Sequence, residues 1–134
     1  ALNITRIKLD FTKPVFIKLS PDESKEVIAD IIQAVREYKF DGVIASNTTI
    51  NHSGLTEQDS NRRLGGLSGK PLFKKSNALL ASIHENDHDL FKIGVGGVFS
   101  PIDFNKKLEL GASLVQIYTS FIYEGPGIVS KLLT

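Results

Sequence analysis

Short apolar runs alternate along the chain with stretches whose apolar residues recur at helical spacing. Pro14-Val15-Phe16-Ile17-Lys18-Leu19 has the length and density of a buried strand, with one charge inside it. In Ser20-Pro21-Asp22-Glu23, Ser20 and Glu23 stand at capping-box spacing and Pro21 suits a first helical position. Val27, Ile28, Ile31, Ile32 and Val35 then recur on one face, so a helix is predicted to about Tyr38. Further strands are expected over 41–47, near 90–95 and over 113–118. Before the last of these, Ser100-Pro101-Ile102-Asp103 repeats the capping signature and Gly111 supplies a stop. Other helices are predicted over 76–85 and after Ser120, the latter broken at Gly125-Pro126-Gly127. Residues 1–10 fit either the end of a preceding helix or an irregular lead-in.

Four strand–helix units in succession call for an α/β fold with a parallel sheet and right-handed connections. A self-sufficient flavodoxin-like sheet satisfies that pattern, and so does half of a (β/α)8 TIM barrel. The stretch 50–66 stands apart. It is polar, aperiodic and longer than a usual strand-to-helix loop, the profile of a functional lid or a disordered segment.

Composition narrows the function classes. The 134 residues suit one compact domain or a piece of a larger one. With 16 Lys and Arg against 15 Asp and Glu, the net charge of +1 argues against a dedicated nucleic-acid binder. At 41% hydrophobic residues the chain can build a sizeable core. The absence of Cys excludes disulfides, thiolate zinc sites and a cysteine nucleophile in this segment. The absence of Met, even at the start, points to a piece of a longer protein. No apolar run has the length of a membrane span, and the first ten residues lack the pattern of a signal peptide.

Candidate chemistry gathers at the predicted strand ends, where parallel α/β folds bind ligands. Lys18 reads either as an edge-strand lysine reaching water or as a cation at a barrel mouth facing an anionic or electron-rich cofactor. Ser46-Asn47-Thr48-Thr49 offers four hydrogen-bonding side chains, and Asn47 can read an amide or pyrimidine edge. The same residues also favour an Asx-type turn. Gly94-Val95-Gly96-Gly97 leads into a capped helix and lets backbone approach a phosphate, although Phe99 occupies the third glycine position of a dinucleotide fingerprint. Tyr118-Thr119-Ser120 ends the next strand in the equivalent place. Two such strand ends in succession are like the phosphate site of a (β/α)8 barrel.

His84-Glu85-Asn86-Asp87-His88 matches a zinc-protease pattern in letters only, because Asn86 and Asp87 are poor helix formers and a strand follows. It reads as a solvated turn opposite the ligand side, and no metal site is expected. Arg62, Arg63, Lys70, Lys74 and Lys75 read as solvated surface or as a contact to a phosphate or acidic partner. His52 stands isolated in the long loop.

Five motifs occur together in order: 16–22 (FIKLSPD), 46–49 (SNTT), 65–72 (GGLSGKPL), 94–97 (GVGG) and 111–119 (GASLVQIYT). On these the chain, from about Pro14 to its end, closely resembles the C-terminal half of dihydroorotate dehydrogenases of the quinone-dependent, membrane-associated class. The resemblance implies that residues 1–134 are the last four units of an FMN-binding (β/α)8 barrel. It implies oxidation of dihydroorotate to orotate in pyrimidine synthesis, with a quinone reoxidising the flavin. Lys18 would lie by the flavin ring, with Ser46 near it and Ser68 and Gly69 approaching FMN. Gly96, Gly97, Tyr118 and Thr119 would hold its phosphate. Asn47 and Thr48 would meet the substrate, and 50–66 would belong to a lid.

In that class the base is a serine on an earlier loop, and the quinone tunnel and membrane contact are N-terminal; both would precede this segment. The expected location is peripheral, on the bacterial cytoplasmic membrane or, in a eukaryote, the mitochondrial inner membrane. Two other readings fit a segment without its base: a non-catalytic half-barrel module for phosphate ligands such as flavins, and a structural piece that binds nothing alone.

Overall fold

A computed structural model describes residues 2–53, 55 and 65–134. The first half runs α1 (Leu2–Lys8), β1 (Phe16–Leu19), α2 (Lys25–Glu37) and β2 (Gly42–Ala45). A short 3-10 turn (Lys70–Leu72) leads into α3 (Phe73–Asn86), followed by β3 (Lys92–Val95) and α4 (Pro101–Glu109). The chain closes with β4 (Leu114–Gln116), α5 (Thr119–Glu124) and α6 (Ile128–Leu132).

The strands form one parallel sheet in the order β1-β2-β3-β4. Phe16 stands opposite Gly42, Val43 opposite Lys92 and Ile93 opposite Leu114. Order in space thus follows order in sequence, as in successive units of a (β/α)8 barrel. A flavodoxin-like sheet would set its second strand on the outer side of its first, next to no later one. The topology therefore decides between the two architectures.

Apolar stripes hold the helices on the sheet. Ile28, Ile32 and Val35 of α2 and Leu79, Leu80 and Ile83 of α3 pack with Leu19, Val43 and Ala45 of the strands. Each of the Val, Leu and Ile side chains contributes about 1.5–3 kcal/mol when removed from water. A smaller cluster joins Val98, Ile128 and Leu132.

The α4 start is as the sequence predicts. Ser100 caps it, its hydroxyl accepting from the Asp103 N–H at 3.2 Å. The α2 start is not. The helix begins at Lys25 rather than Pro21, with Ser24 as cap accepting from the Val27 N–H at 3.4 Å. Ser20 instead accepts from the Asp22 N–H at 3.2 Å, closing a small turn. The reason lies across the sheet. The Asp22 carboxylate accepts from the Thr49 hydroxyl at 2.5 Å and the Ile50 N–H at 2.8 Å, which fixes residues 20–22 toward the end of β2. Helix α3 begins three residues before its predicted start, and residues 2–8 are helical. β2 and β4 stop short of their expected C-terminal ends, because 46–47 and 117–118 leave the ladder, whereas β1 and β3 end where predicted and begin two residues late.

The opposite end of the sheet is tied separately. Lys92, buried, donates through Nζ to the carbonyls of Asp87, His88 and Leu90 at 3.1, 2.9 and 2.7 Å. Arg36 at the end of α2 grips Asp87 with two hydrogen bonds of 2.6 and 2.7 Å. Because α3 stops at Asn86, His84 lies on the helix and His88 beyond it, their rings 4.1 Å apart. The two do not share a helical face, in keeping with the turn reading.

Candidate functional site

The C-terminal ends of all four strands open on one cleft. It is lined by Lys18 near the end of β1, Ser46, Asn47 and Thr48 after β2, and Ser68 and Gly69 before α3. Gly96 and Gly97 after β3 and Tyr118 and Thr119 after β4 complete it. The ten residues that the resemblance assigns to cofactor or substrate are therefore brought to one place.

Lys18 departs from the expectation of a charge inside a buried strand. Side chains alternate along a strand, and here Leu19 is buried while Lys18 is exposed. Within the described sheet β1 is the outermost strand, and Lys18 lines the cleft at its C-terminal end.

At the end of β2 the chain turns sharply. The Ala45–Ser46 peptide is cis. The Ser46 N–H donates to Val95 O at 3.1 Å and the Asn47 N–H to Leu19 O at 2.7 Å, anchoring this turn to both neighbouring strands. Ser46 is buried, its hydroxyl donating to Asn47 O at 2.8 Å. The Asn47 and Thr48 side chains stay exposed at the cleft. Thr49 pairs with Leu67 through two backbone bonds of 3.1 and 2.8 Å, which brings Ser68 and Gly69 over the cleft. Thr119 Oγ1 then meets Ser68 Oγ at 3.2 Å.

A clamp that the sequence does not reveal holds this corner. Lys75 forms an ion pair with Asp22 and lies 3.1 Å from Thr49 Oγ1. Burial pushes the Asp22 carboxyl up, but hydrogen bonds from Lys75, Thr49 and the Ile50 N–H outweigh it and hold the group below its ordinary value. Lys75 of the basic run thus keeps its partly exposed position while pairing with a carboxylate remote in sequence. Of the same run, Lys70 lies 5.3 Å from the Phe99 ring centre, and Arg62 and Arg63 fall outside the described residues. Most of the expected lid, including 56–64, also falls outside them.

The glycine turn after β3 is forced by packing. Gly96 and Gly97 have φ of +113° and +76°. A Cβ on Gly97 would stand 2.5 Å from Phe73 Cβ and 2.7 Å from Phe73 Cα. One on Gly96 would stand 2.9 Å from Ser76 Oγ. Bare backbone therefore reaches the cleft wall directly above the start of α3. A cofactor phosphate suits this cradle. Its described lining carries Lys18 and several hydroxyls and no Asp or Glu, so nothing there repels an anion. Behind the turn lies Lys107, fully buried, which the sequence reading does not single out. Its helix carries Ile102 and Leu108 exposed, so hydropathy alone hides the inversion. Among the described residues no group of His, Asp or Glu is placed to hold a metal ion, and no helix is long and apolar enough to cross a membrane.

Comparison with known proteins gives a consistent result. A family model described as dihydroorotate dehydrogenase matches residues 3–134. A dihydroorotate dehydrogenase (quinone) of Christiangramia forsetii is 48% identical over 121 residues, covering 90% of this chain and 35% of the relative. One of Trichodesmium erythraeum is 45% identical over 129 residues, covering 90% and 34%. The crystal structure of an Eimeria tenella DHODH in complex with ferulenol superposes with a TM-score of 0.81 at 34% identity, over 87% of this chain and 31% of that one. Its ligand-free form gives 0.79 at 35% identity, over 87% and 33%. The chain thus spans about a third of the length of the relatives it matches.

Proposed function

Because the chain belongs to the dihydroorotate dehydrogenase family, we propose that it supplies the ligand-holding half of an FMN enzyme that oxidises dihydroorotate to orotate and passes the electrons to a quinone. The observation that carries this reading is the convergence of eight strand-end residues, with Ser68 and Gly69, on one cleft whose described lining carries no carboxylate. FMN, when bound, supplies the hydride acceptor.

The remaining roles belong to residues of this chain. Gly96, Gly97, Tyr118 and Thr119 hold the phosphate end, with Ser68 and Gly69 closing over the ligand from the α3 side. Ser46, fixed by its neighbours, presents backbone to the flavin. Asn47 and Thr48 orient the pyrimidine with side-chain donors and acceptors. Lys18 places a positive charge where negative charge accumulates on reduction. It serves as a charge and not as the base. Removal of the substrate proton is assigned to a serine from outside these residues. A quinone acceptor is lipid-soluble, so the reading includes association with a membrane surface, bacterial cytoplasmic or mitochondrial inner.

The test is spectroscopic and kinetic. Protein carrying this segment should show a bound-flavin absorption spectrum, bind FMN more tightly than riboflavin, and reduce a quinone or dye only when dihydroorotate is present. Flavin retained without any reduction by dihydroorotate would favour the non-catalytic phosphate-ligand module. Riboflavin matching FMN would refute the phosphate assignment.

A further inference from the structure

Lys107 sits in α4, one turn after Asp103, with its side chain running inward. Its stem crosses Gly94, where a Cβ would stand 3.1 Å from Lys107 Cδ. The ammonium donates to Ser76 Oγ at 2.6 Å, lies 3.4 Å from Val95 O, and faces the Phe73 ring at 5.5 Å. Ser76 Oγ is in turn 3.1 Å from both Phe73 O and Gly96 O.

This chain of contacts has a direction. An ammonium can only donate, so Ser76 accepts from it and gives its own proton to a carbonyl. Tying Gly96 O back toward α3 has a consequence one atom on. In a trans peptide the N–H points opposite to the C=O, so the Gly97 N–H is turned away from α3.

The charge itself is unanswered. The groups facing Lys107 from α3 are Phe73 and Ser76, and from β3 Gly94 and Val95, none of them charged. Asp103 on its own helix is the carboxylate whose charge reaches it, and that carboxylate is engaged by the Ser100 hydroxyl at 2.8 Å and the Phe99 N–H at 3.0 Å. A buried cation without an ion-pair partner is costly, and an anion seated on the far side of the Gly96–Gly97 turn offsets part of that cost.

We propose that Lys107, acting through Ser76 and the Val95–Gly97 backbone, is the positioning residue that makes this turn selective for a phosphate ester. The proposal rests on the flavin reading above and names the residue that gives the phosphate end its preference. A pH signature follows. Burial pushes the Lys107 ammonium down to about 8. A bound anion holds the proton on, so phosphate-ester affinity is full below that value and falls above it, by at most about tenfold per pH unit.

Fluorescence titration of the flavin-free protein with FMN and with riboflavin, from about pH 6.5 to about 9.5, tests this. In the wild type, FMN affinity should decline above about pH 8 while riboflavin affinity stays level. Lys107→Gln and Lys107→Met should weaken FMN about tenfold or more at neutral pH, flatten the profile and leave riboflavin within about twofold. Lys107→Arg should restore part of the loss. A wild-type preference for FMN that ignores pH, or a Lys107→Gln protein that keeps the preference, overturns the proposal and leaves the phosphate assignment standing. Wild-type protein that binds both flavins equally overturns the assignment and the proposal with it. The wild-type profile decides even if the variants fail to fold.

Discussion

Gly97→Ala is the sharpest test of how the glycine turn is built. The added Cβ would sit 2.5 Å from Phe73 Cβ, 2.7 Å from Phe73 Cα and 2.8 Å from Phe73 N. Carbon atoms in contact prefer about 3.5–4.0 Å, so something must move by roughly 1 Å. Two of the three colliding atoms are backbone at the first turn of a 14-residue helix, so no rotamer change relieves the clash. Overpacking of this kind costs about 1–3 kcal/mol. The positive φ adds about 1–2 kcal/mol for any residue with a Cβ. Gly125 supplies the control. Its φ is +73°, nearly that of Gly97, yet a Cβ there would meet nothing within 4 Å. Gly125→Ala should therefore carry the conformational cost alone. Urea unfolding of the two variants should differ by about 1–3 kcal/mol, with Gly97→Ala the weaker and the m-values unchanged. Equal stabilities within about 0.5 kcal/mol would show that the turn yields freely, and the argument for a packed, bare-backbone cradle would fail.

In the active protein, Asn47→Ala should weaken orotate by about 1–3 kcal/mol, one to two decades, and FMN much less, as ligand titrations would show. Hydrogen bonds from Arg36 hold the Asp87 carboxyl below its ordinary value, and Asp22 is lowered too. Both contributions are complete above about pH 4 and lost as pH falls through the depressed folded-state values, so a protein carrying Asp22→Asn and Asp87→Asn should lose stability less steeply in acid than the wild type. Circular dichroism during acid titration checks this, and parallel curves would contradict it. Ser24→Ala should destabilise by about 0.5–2 kcal/mol as the loss of a true helix cap, whereas Ser20→Ala should cost clearly less. The reverse order in thermal melts would restore the start that the sequence suggested.

What the sequence made legible were features with local causes. Apolar runs located the four strands, and Ser100-Pro101 located a helix start that depends on residues within one turn. The strand-end motifs all reached the cleft because a parallel sheet sends every strand's C-terminus the same way. What escaped depended on distant partners. Ser20-Pro21-Asp22-Glu23 has the spacing of a cap, but Asp22 is claimed by Thr49, Ile50 and Lys75, which are remote in sequence. Lys92 and Lys107 look like surface residues until three carbonyls collect around one and a glycine opens room for the other. The choice between a flavodoxin-like sheet and a barrel turned on strand order, which periodicity does not encode.

The strictly sequential order of the sheet bears on how the molecule comes into being. No strand has to be threaded between two that are already paired, because each one joins the edge left by its predecessor. Chain closure at every step then spans a single helix and its loops, and the entropy lost rises only slowly with that length. A polypeptide leaving the ribosome can accordingly lay down each strand as it emerges, in the order in which it was translated. Each new strand needs only the edge left by the one before it, so synthesis and assembly can advance together.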